Sequence, residues 1–460
     1  VSASLHPSRR NLLAAGSASL AGRALGQGPS STPRAKRVIW LQMAGGPPQL
    51  DMFDIKPTLN RLHGTLCPQE FIEGKRLAFI KGRPTLLGSP WRSYQVPSTG
   101  WTVSEHLPHF ASIAEHTTLV RSMHTDQFNH APADLMMFTG NAQPGAASMG
   151  AWASRELGSL NPNLPNYCVL ISGGSDPTGG KSTWGAGFLP SQHQGVRLRS
   201  TGEPILYVQD PAGLSRPGRR AGLDALYRLN GMTWKQSADP NVRSRMEQYE
   251  LAWRMQSSVP QVADLESEPA HVLKDYGVTP GKASFGSNCL LARRLVESGV
   301  RWVQLFDWGW DLHGTNKGDD LVDSFPKKCL AVDRPIAALV RDLHRRGLLE
   351  DTLVVWGGEF GRTPMNEARS GSTRLGRDHH GGCFSMWFAG AGVRAGEVFG
   401  ATDELGYSIV RDPVSVRDLQ ATLLWSLGID PYSTSVRHLG LNRRLIGPTD
   451  EGRIMYHWFG

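Results

Sequence analysis

Cysteine is scarce: Cys67, Cys168, Cys289, Cys329 and Cys383 are scattered over 460 residues with no CxxC pair. That spacing excludes a disulfide framework and a zinc knuckle, though one or two bridges are permitted in an oxidising compartment. Long apolar runs are also missing. No stretch approaches the ~18 residues of a membrane span, so a soluble mature protein is expected. Acids are absent from residues 1–37, which hold Arg9, Arg10, Arg23, Arg34, Lys36 and Arg37. Without that segment the balance is 43 basic against 41 acidic residues, so the formal net charge of +8 implies no nucleic-acid partner. The Gly-rich stretch SGGSDPTGG is not a Walker loop and reads as a surface loop. No internal repeat is visible.

What remains is a chain with 40% hydrophobic residues, 52 Gly and 30 Pro, which reads as one elaborated, loop-rich globular domain over residues 34–460. Residues 1–33 read as a leader and linker. Ser8-Arg9-Arg10-Asn11-Leu12-Leu13 followed by AAGSASLAG resembles a twin-arginine export signal, so a periplasmic or secreted location is expected.

Apolar and β-branched runs predict strands at Arg37–Met43, Leu119–Met123, Tyr167–Ser172, Ile205–Gln209, Val300–Phe306, Thr352–Trp356 and Phe384–Ala389. Ser104 is placed to cap a helix through Leu107 to Glu115. Helices are also expected over Asn241–Gln256, Ser284–Glu297, Asp333–Arg346 and, capped by Ser415, Val416–Leu427. Those around 215–298 read as a helical insertion. The expected class is α/β, a mostly parallel sheet between helix layers.

Ligand-type side chains recur just past these strand ends. Glu359 follows Gly357-Gly358, and Asp378-His379-His380 precede the next strand, with Arg362, Asn366, Arg369, Arg374 and Arg377 in the polar excursion between. Asp307, Asp311 and His313 follow a third strand. Asp51 and Asp54 follow the first, as ligands or as formers of an Asx-type turn. His130 precedes a helix that Pro132 could start, either as a site residue or as a cap. Asp319 and Asp320 read as solvated. Carboxylates and imidazoles converging at a sheet edge are how an α/β protein assembles a metal site.

The stretches AGGPPQLDMFDIKP, VSEHLPH, RSMHTDQFNHAPADLMMFTG, LLARRLVESGVRWVQLFDWGWDLHG, GGEFGRTPMN, GRDHHGG, GAGVRAGEVFGATDE and DLQATLLWSLGI together resemble the bacterial DUF1501 family, of unassigned function and placed in the alkaline phosphatase/sulfatase superfamily. The resemblance covers nearly all of the expected exported portion. It implies an alkaline phosphatase-like fold with one or two metals at the carboxyl ends of strands. It sets Glu359 where the superfamily's SDHG motif has Asp, and Phe360 where that motif has a ligand His. DHHGG fits the later metal-binding His, as His379 or His380, and DWGWDLH fits the preceding Asp and His pair. HAPADLMMFTG resembles the sulfatase nucleophile helix, but His130, Pro132 and Asp134 replace the residues that formylglycine formation needs, which excludes that chemistry there. Ala44-Gly45 stands where the superfamily commonly has Asp-Gly, and Pro48 where many members carry Ser.

The expected function is therefore an exported metallohydrolase of phosphate or sulfate esters. One or two divalent ions (Zn, Mn, Fe or Ca) would be held by Asp311, His313, Glu359 and His379 or His380, with Asp51 as a further candidate. Arg362 or Arg377 would hold the anionic oxygens, His130 would be a ligand or general acid, and metal-bound hydroxide would attack directly. The alternative is a non-catalytic metal- or polysaccharide-binding protein. For that reading Trp91, Trp101, Trp184, Trp308 and Trp310 either stack on sugars or belong to the core.

Overall fold

The computed structural model describes residues 33–75, 77–205, 210, 213–448 and 452–460. The leader read in residues 1–33 thus lies, but for Pro33, outside the described residues, as does the expected strand at Ile205–Gln209 beyond its first residue.

Among the described residues nine strands form one sheet: β1 (Arg37–Ala44), β2 (Thr117–His124), β3 (Tyr167–Ser172), β4 (Val196–Arg197), β5 (Trp302–Trp308), β6 (Thr352–Gly357) and, beyond a separate hairpin of β7 (Gly361–Asn366) and β8 (Arg377–His380), β9 (Phe384–Ala389), β10 (Val398–Phe399) and β11 (Val414–Ser415). Their order is β10-β2-β9-β6-β1-β5-β3-β4, with β11 also on β2. All pairings are parallel except those of β9, which runs antiparallel to both β2 and β6. Strands β2 and β6 therefore point the same way. The carboxyl ends of β1, β2, β5 and β6 share one edge of the sheet, the edge at which open α/β folds place ligands.

The helices used below are α1 (His130–Thr139), α2 (Met149–Leu157), α3 (Arg216–Ser237), α4 (Pro240–Ala263), α5 (Phe285–Glu297), α6 (Ser324–Arg345) and α7 (Val416–Ser426). Strand residues alternate between two apolar layers, as a pleat of period two requires. Ile39, Leu41 and Met43 of β1 join Leu290 of α5 and Ile336 and Val340 of α6. Val38 and Trp40 join Phe138 of α1, Trp152 of α2 and Leu423 of α7 on the other face. Burial on both faces explains why these strands read as continuous apolar runs rather than alternating ones. Ser415 caps α7 in a reciprocal box with Asp418.

Several local expectations fail for identifiable reasons. Ser104 ends a short strand (Thr102–Ser104), and the segment after it makes only two 3-10 turns, Phe110–Ser112 and Ala114–His116. Asp333, across on α6, accepts from the backbone N–H groups of His109 and Phe110 at 2.7 and 2.8 Å and so serves the donors that a helix would have used. The polar excursion between β6 and β9 is the hairpin β7–β8, largely buried. Asp320 is buried, not solvated, and holds Arg374 and the start of α6. Lys181-Ser182 follow directly on Gly180, the last residue of the Gly-rich stretch, but Gly180–Trp184 is a 3-10 turn rather than the start of a helix, so the segment forms no Walker loop. Trp101, Trp184 and Trp310 are buried in the core, which leaves Trp91 and Trp308 partly exposed.

All five cysteines are free and buried. Burial pushes the Cys168 thiol up and keeps it protonated, and the same cause acts on Cys289, Cys329 and Cys383. A thiol reagent should therefore find essentially no reactive thiol in the native protein and five after denaturation without reductant; fewer in the denatured protein would reveal a disulfide.

Candidate metal centre

Four side chains distant in the chain meet at the shared carboxyl edge. His130 is the first residue of α1, Asp311 and His313 lie in the loop after β5, and His379 is on β8. One ligand-type atom of each lies within 4.8 Å of the other three. Asp311 Oδ1 is their hub: His130 Nε2 is 3.2 Å away, His313 Nε2 2.7 Å and His379 Nε2 3.1 Å. The opposite nitrogens all face acceptors. His130 Nδ1 lies 2.6 Å from Glu359 Oε1, His379 Nδ1 lies 2.7 Å from the Phe128 carbonyl, and His313 Nδ1 contacts the Glu367 carboxylate. Each Nδ1 therefore carries a proton and donates it, as in metal-binding histidines whose tautomer an outer partner fixes.

That arrangement turns three imidazole nitrogens onto one carboxylate oxygen. A neutral imidazole protonated at Nδ1 has a lone pair at Nε2, and a lone pair facing a carboxylate is repulsive unless a proton or a cation stands between them. His130 meets this with a proton: burial opposes its charge, but the bonds to Asp311 and Glu359 outweigh burial and hold its pKa at about 9. His379 does not, because burial and then the Arg362 charge bring its pKa down to about 3. Burial pulls the Asp311 carboxyl upward, yet the three histidines and Arg362 keep it ionised far below the usual range. His130 Nε2 is also a buried atom with no well-aligned hydrogen-bond partner. A divalent cation among the four atoms relieves all of these mismatches, so the residues fit one. Three imidazoles and a carboxylate suit Zn and neighbouring transition metals.

Local structure explains the convergence. Arg362, fully buried on β7, donates through Nε to the Gly46 carbonyl at 2.9 Å, through Nη1 to the Arg377 carbonyl at 2.9 Å, and through Nη2 to the Gly45 carbonyl and, at 2.6 Å, to Asp311. It ties the end of β1, the hairpin and the β5 loop to one point. Gly45 has φ +115°, and a Cβ there would meet the Asp311 nitrogen at 2.5 Å, so only glycine allows that approach. Gly45 N–H also donates to Glu359 Oε1 at 2.9 Å, and Gln42 Nε2 donates to Glu359 Oε2 at 3.1 Å. Behind them Asp134 is raised well above the usual carboxyl range, by burial and then by the Glu359 charge. Aromatic rings close the surroundings: Phe360 lies 4.9 Å from the His130 ring and 4.6 Å from that of His379, and Phe79 lies 5.1 Å from His379.

The structure thus brings together His130, Asp311, His313 and His379, with Glu359 one step out, as the partner of His130 rather than a member of the four. His380 is elsewhere. Neighbours on a strand point to opposite faces, and its Nε2 meets the Tyr407 carbonyl at 2.7 Å. Asp51 and Arg377 are also apart from the cluster, joined in a buried bidentate pair at 2.7 and 3.0 Å. Arg362 touches Asp311 but spends its donors on protein oxygens, so neither arginine offers a free fork to an anion. Asp54 pairs with Lys56 at 3.0 Å. Glu367, the Phe128 carbonyl and Phe79 were not singled out from sequence. Glu367 could have been found as a second acid on the excursion after Glu359; a backbone carbonyl leaves no signal. Half-exposed Arg369 was read only as part of that excursion, yet it donates to Glu367 at 2.5 Å, comes within 3.1 Å of His313 Nδ1, and lies over the Phe79 ring.

A family model described as "Protein of unknown function (DUF1501)" matches residues 35–455. No curated protein matches the chain. Among solved structures, the chain is similar to the PsFucS1 sulfatase from Pseudoalteromonas sp., at 13% identity and TM-score 0.37 over 86% of this chain and 68% of that one. It is also similar to a magnesium-bound variant of TAB5 alkaline phosphatase (11%, TM-score 0.35, 87% of this chain and 99% of that one). A third is the phosphonate monoester hydrolase SpPMH from Silicibacter pomeroyi (11%, TM-score 0.34, 89% and 76%).

Three outcomes follow from the geometry and its electrostatics. His313→Ala and His379→Ala should each lose a divalent metal on dialysis, and Glu367→Gln should weaken it by about 10–100-fold, whereas His380→Ala should retain it, all read by elemental analysis. Asp51→Asn should leave metal content unchanged but lower folding stability by about 3–5 kcal/mol in chemical denaturation, because it strands the buried Arg377 charge. Since the two carboxylates hold the His130 pKa at about 9 and a ligand must present a lone pair, calorimetry near pH 7 in buffers of different ionisation enthalpy should show about one proton released per metal bound.

Proposed function

The chain belongs to the DUF1501 family, and for this member we propose a metal-dependent hydrolase that cleaves phosphate or sulfate esters with water. The observation that carries the reading is the convergence of three Nδ1-anchored histidines on Asp311. His130, His313, His379 and Asp311 would hold one divalent ion, and this donor set favours Zn, Fe or Mn over Ca, which takes six to eight oxygen ligands. When bound, such an ion supplies Lewis acidity toward an ester oxygen and acidifies water.

The protein's own residues do the rest. Glu359 and Glu367 fix the orientation of His130 and His313, and Phe360 and Phe79 limit water around the rings. Arg369 is the cation at the rim, its side chain 34% exposed, and is placed to receive the oxygens of a tetrahedral anion in the role first considered for Arg362 and Arg377. The start of α1, His130-Ala131-Pro132-Ala133-Asp134, has no Ser, Thr or Cys, which favours direct attack by water over a covalent intermediate. The superfamily that the sequence motifs resemble supports the choice of ester. Export by the twin-arginine route, to the periplasm or the medium, is part of the same proposal and rests on the Arg9-Arg10 motif.

The test is hydrolysis of p-nitrophenyl phosphate and p-nitrophenyl sulfate by purified mature protein of known metal content. Turnover should vanish with EDTA and return with Zn, Fe or Mn. Arg369→Met should lower kcat/KM by about tenfold or more while metal content stays constant. Full metal occupancy without turnover of either ester, or of sulfated saccharides, would leave a metal-binding protein and overturn the hydrolase.

A further inference from the structure

A cleft of about 910 Å3 opens at the carboxyl ends of β3 and β5, between α5 and α6. Trp308 stands between it and the metal centre: its ring lies 5.6 Å from that of His130, while its carbonyl accepts from Lys328 Nζ, in the cleft wall, at 2.7 Å. A volume of this size lies within the usual range for small-molecule sites.

The charges lining the cleft are already committed. Lys328 also donates to Asp307, whose other oxygen accepts from Ser172 Oγ at 2.8 Å. Asp333 holds the two backbone N–H groups of residues 109 and 110, Glu105 accepts from the Arg92 N–H at 2.8 Å, and Arg334 donates to the Lys274 and Asp275 carbonyls. An anion would find no uncommitted cation there, and a metal ion no uncommitted carboxylate. Two side chains of the lining are left without a hydrogen-bond partner among the described residues, and the first is His106, whose buried Nε2 has none. The second, Asn288 on α5, is only 3% exposed and lines the cleft, yet its side-chain amide has no hydrogen-bond partner among the described residues. That amide offers two donors and an acceptor to whatever occupies the cleft. Beside it Phe285, Pro335 and Ile171 supply an apolar wall.

We propose that this cleft binds a neutral sugar unit of a glycan, with hydroxyls on the Asn288 amide and Ser172 and a C–H face against Phe285 and Pro335. A neutral sugar combines donors, acceptors and apolar C–H surface without net charge, which is what the committed ion pairs and the spare amide together select. The proposal does not depend on hydrolysis at the metal centre.

The test is isothermal titration of the mature protein with neutral oligosaccharides, namely cello-, malto-, manno- and agaro-oligosaccharides, with and without EDTA. At least one series should saturate, equally well in both conditions. Asn288→Leu should weaken that binding by about tenfold, the worth of one good hydrogen bond. Ala331→Trp, at an exposed position in the cleft wall that removes no buried group, should abolish it with the thermal transition unchanged. No saturation by any series, binding that survives Ala331→Trp, or binding lost with EDTA (which would assign the sugar to the metal centre) overturns the proposal.

Discussion

The architecture of the candidate centre depends on one buried guanidinium. Arg362 has no exposed surface, and its donors reach carbonyls of Gly45, Gly46 and Arg377 as well as the Asp311 carboxylate. A charge taken out of water must have its hydrogen bonds made inside, and Arg362 can make them only if the β1 turn, the hairpin and the β5 loop come together. The position of Asp311 follows from that, and the three imidazoles are arranged around Asp311. A residue that looked like an anion clamp is instead the fastener of the site.

Around that fastener the electrostatics are asymmetric. His130 and His379 stand a few ångströms apart, with ring centroids at 4.4 Å, yet one is held protonated and the other neutral. The difference lies in their partners: His130 sits between two carboxylates, whereas His379 has a backbone carbonyl on one side and the Arg362 charge nearby. Such a divergence between neighbouring groups is common where chemistry is done. It also sets the bare Nε2 of His379 3.1 Å from a carboxylate oxygen of Asp311, a contact that a cation between them would relieve.

The sheet was legible because its strands are buried on both faces and stand out as uninterrupted apolar runs; Tyr167–Ser172 and Phe384–Ala389 have the same limits in sequence and structure. The helix expected after Ser104 was not, because a carboxylate on α6, more than two hundred residues away, takes its backbone donors. The hairpin β7–β8 escaped notice for a related reason. Its arginines and acids read as a polar excursion offering groups to a ligand, but Arg362, Arg377 and Asp378 are buried with their partners supplied by distant segments.

Sequence alone determined the α/β class, the strand ends from which ligand-type side chains emerge, and the family, because each is written in local pattern: apolar period, Gly turns and contiguous motifs. Which of those side chains meet was decided only by the tertiary structure. Adjacent His379 and His380 are equivalent in sequence, yet the pleat sends them to opposite faces and the pairing of β8 with Arg362 on β7 decides which one meets Asp311. Asp51 and Glu359 both follow strands, but Asp51 is captured by Arg377 and Glu359 by His130. The physical reason is common to all of them: a buried charge takes the partner that the packed chain brings within hydrogen-bond reach, and distance along the sequence does not determine which partner that is.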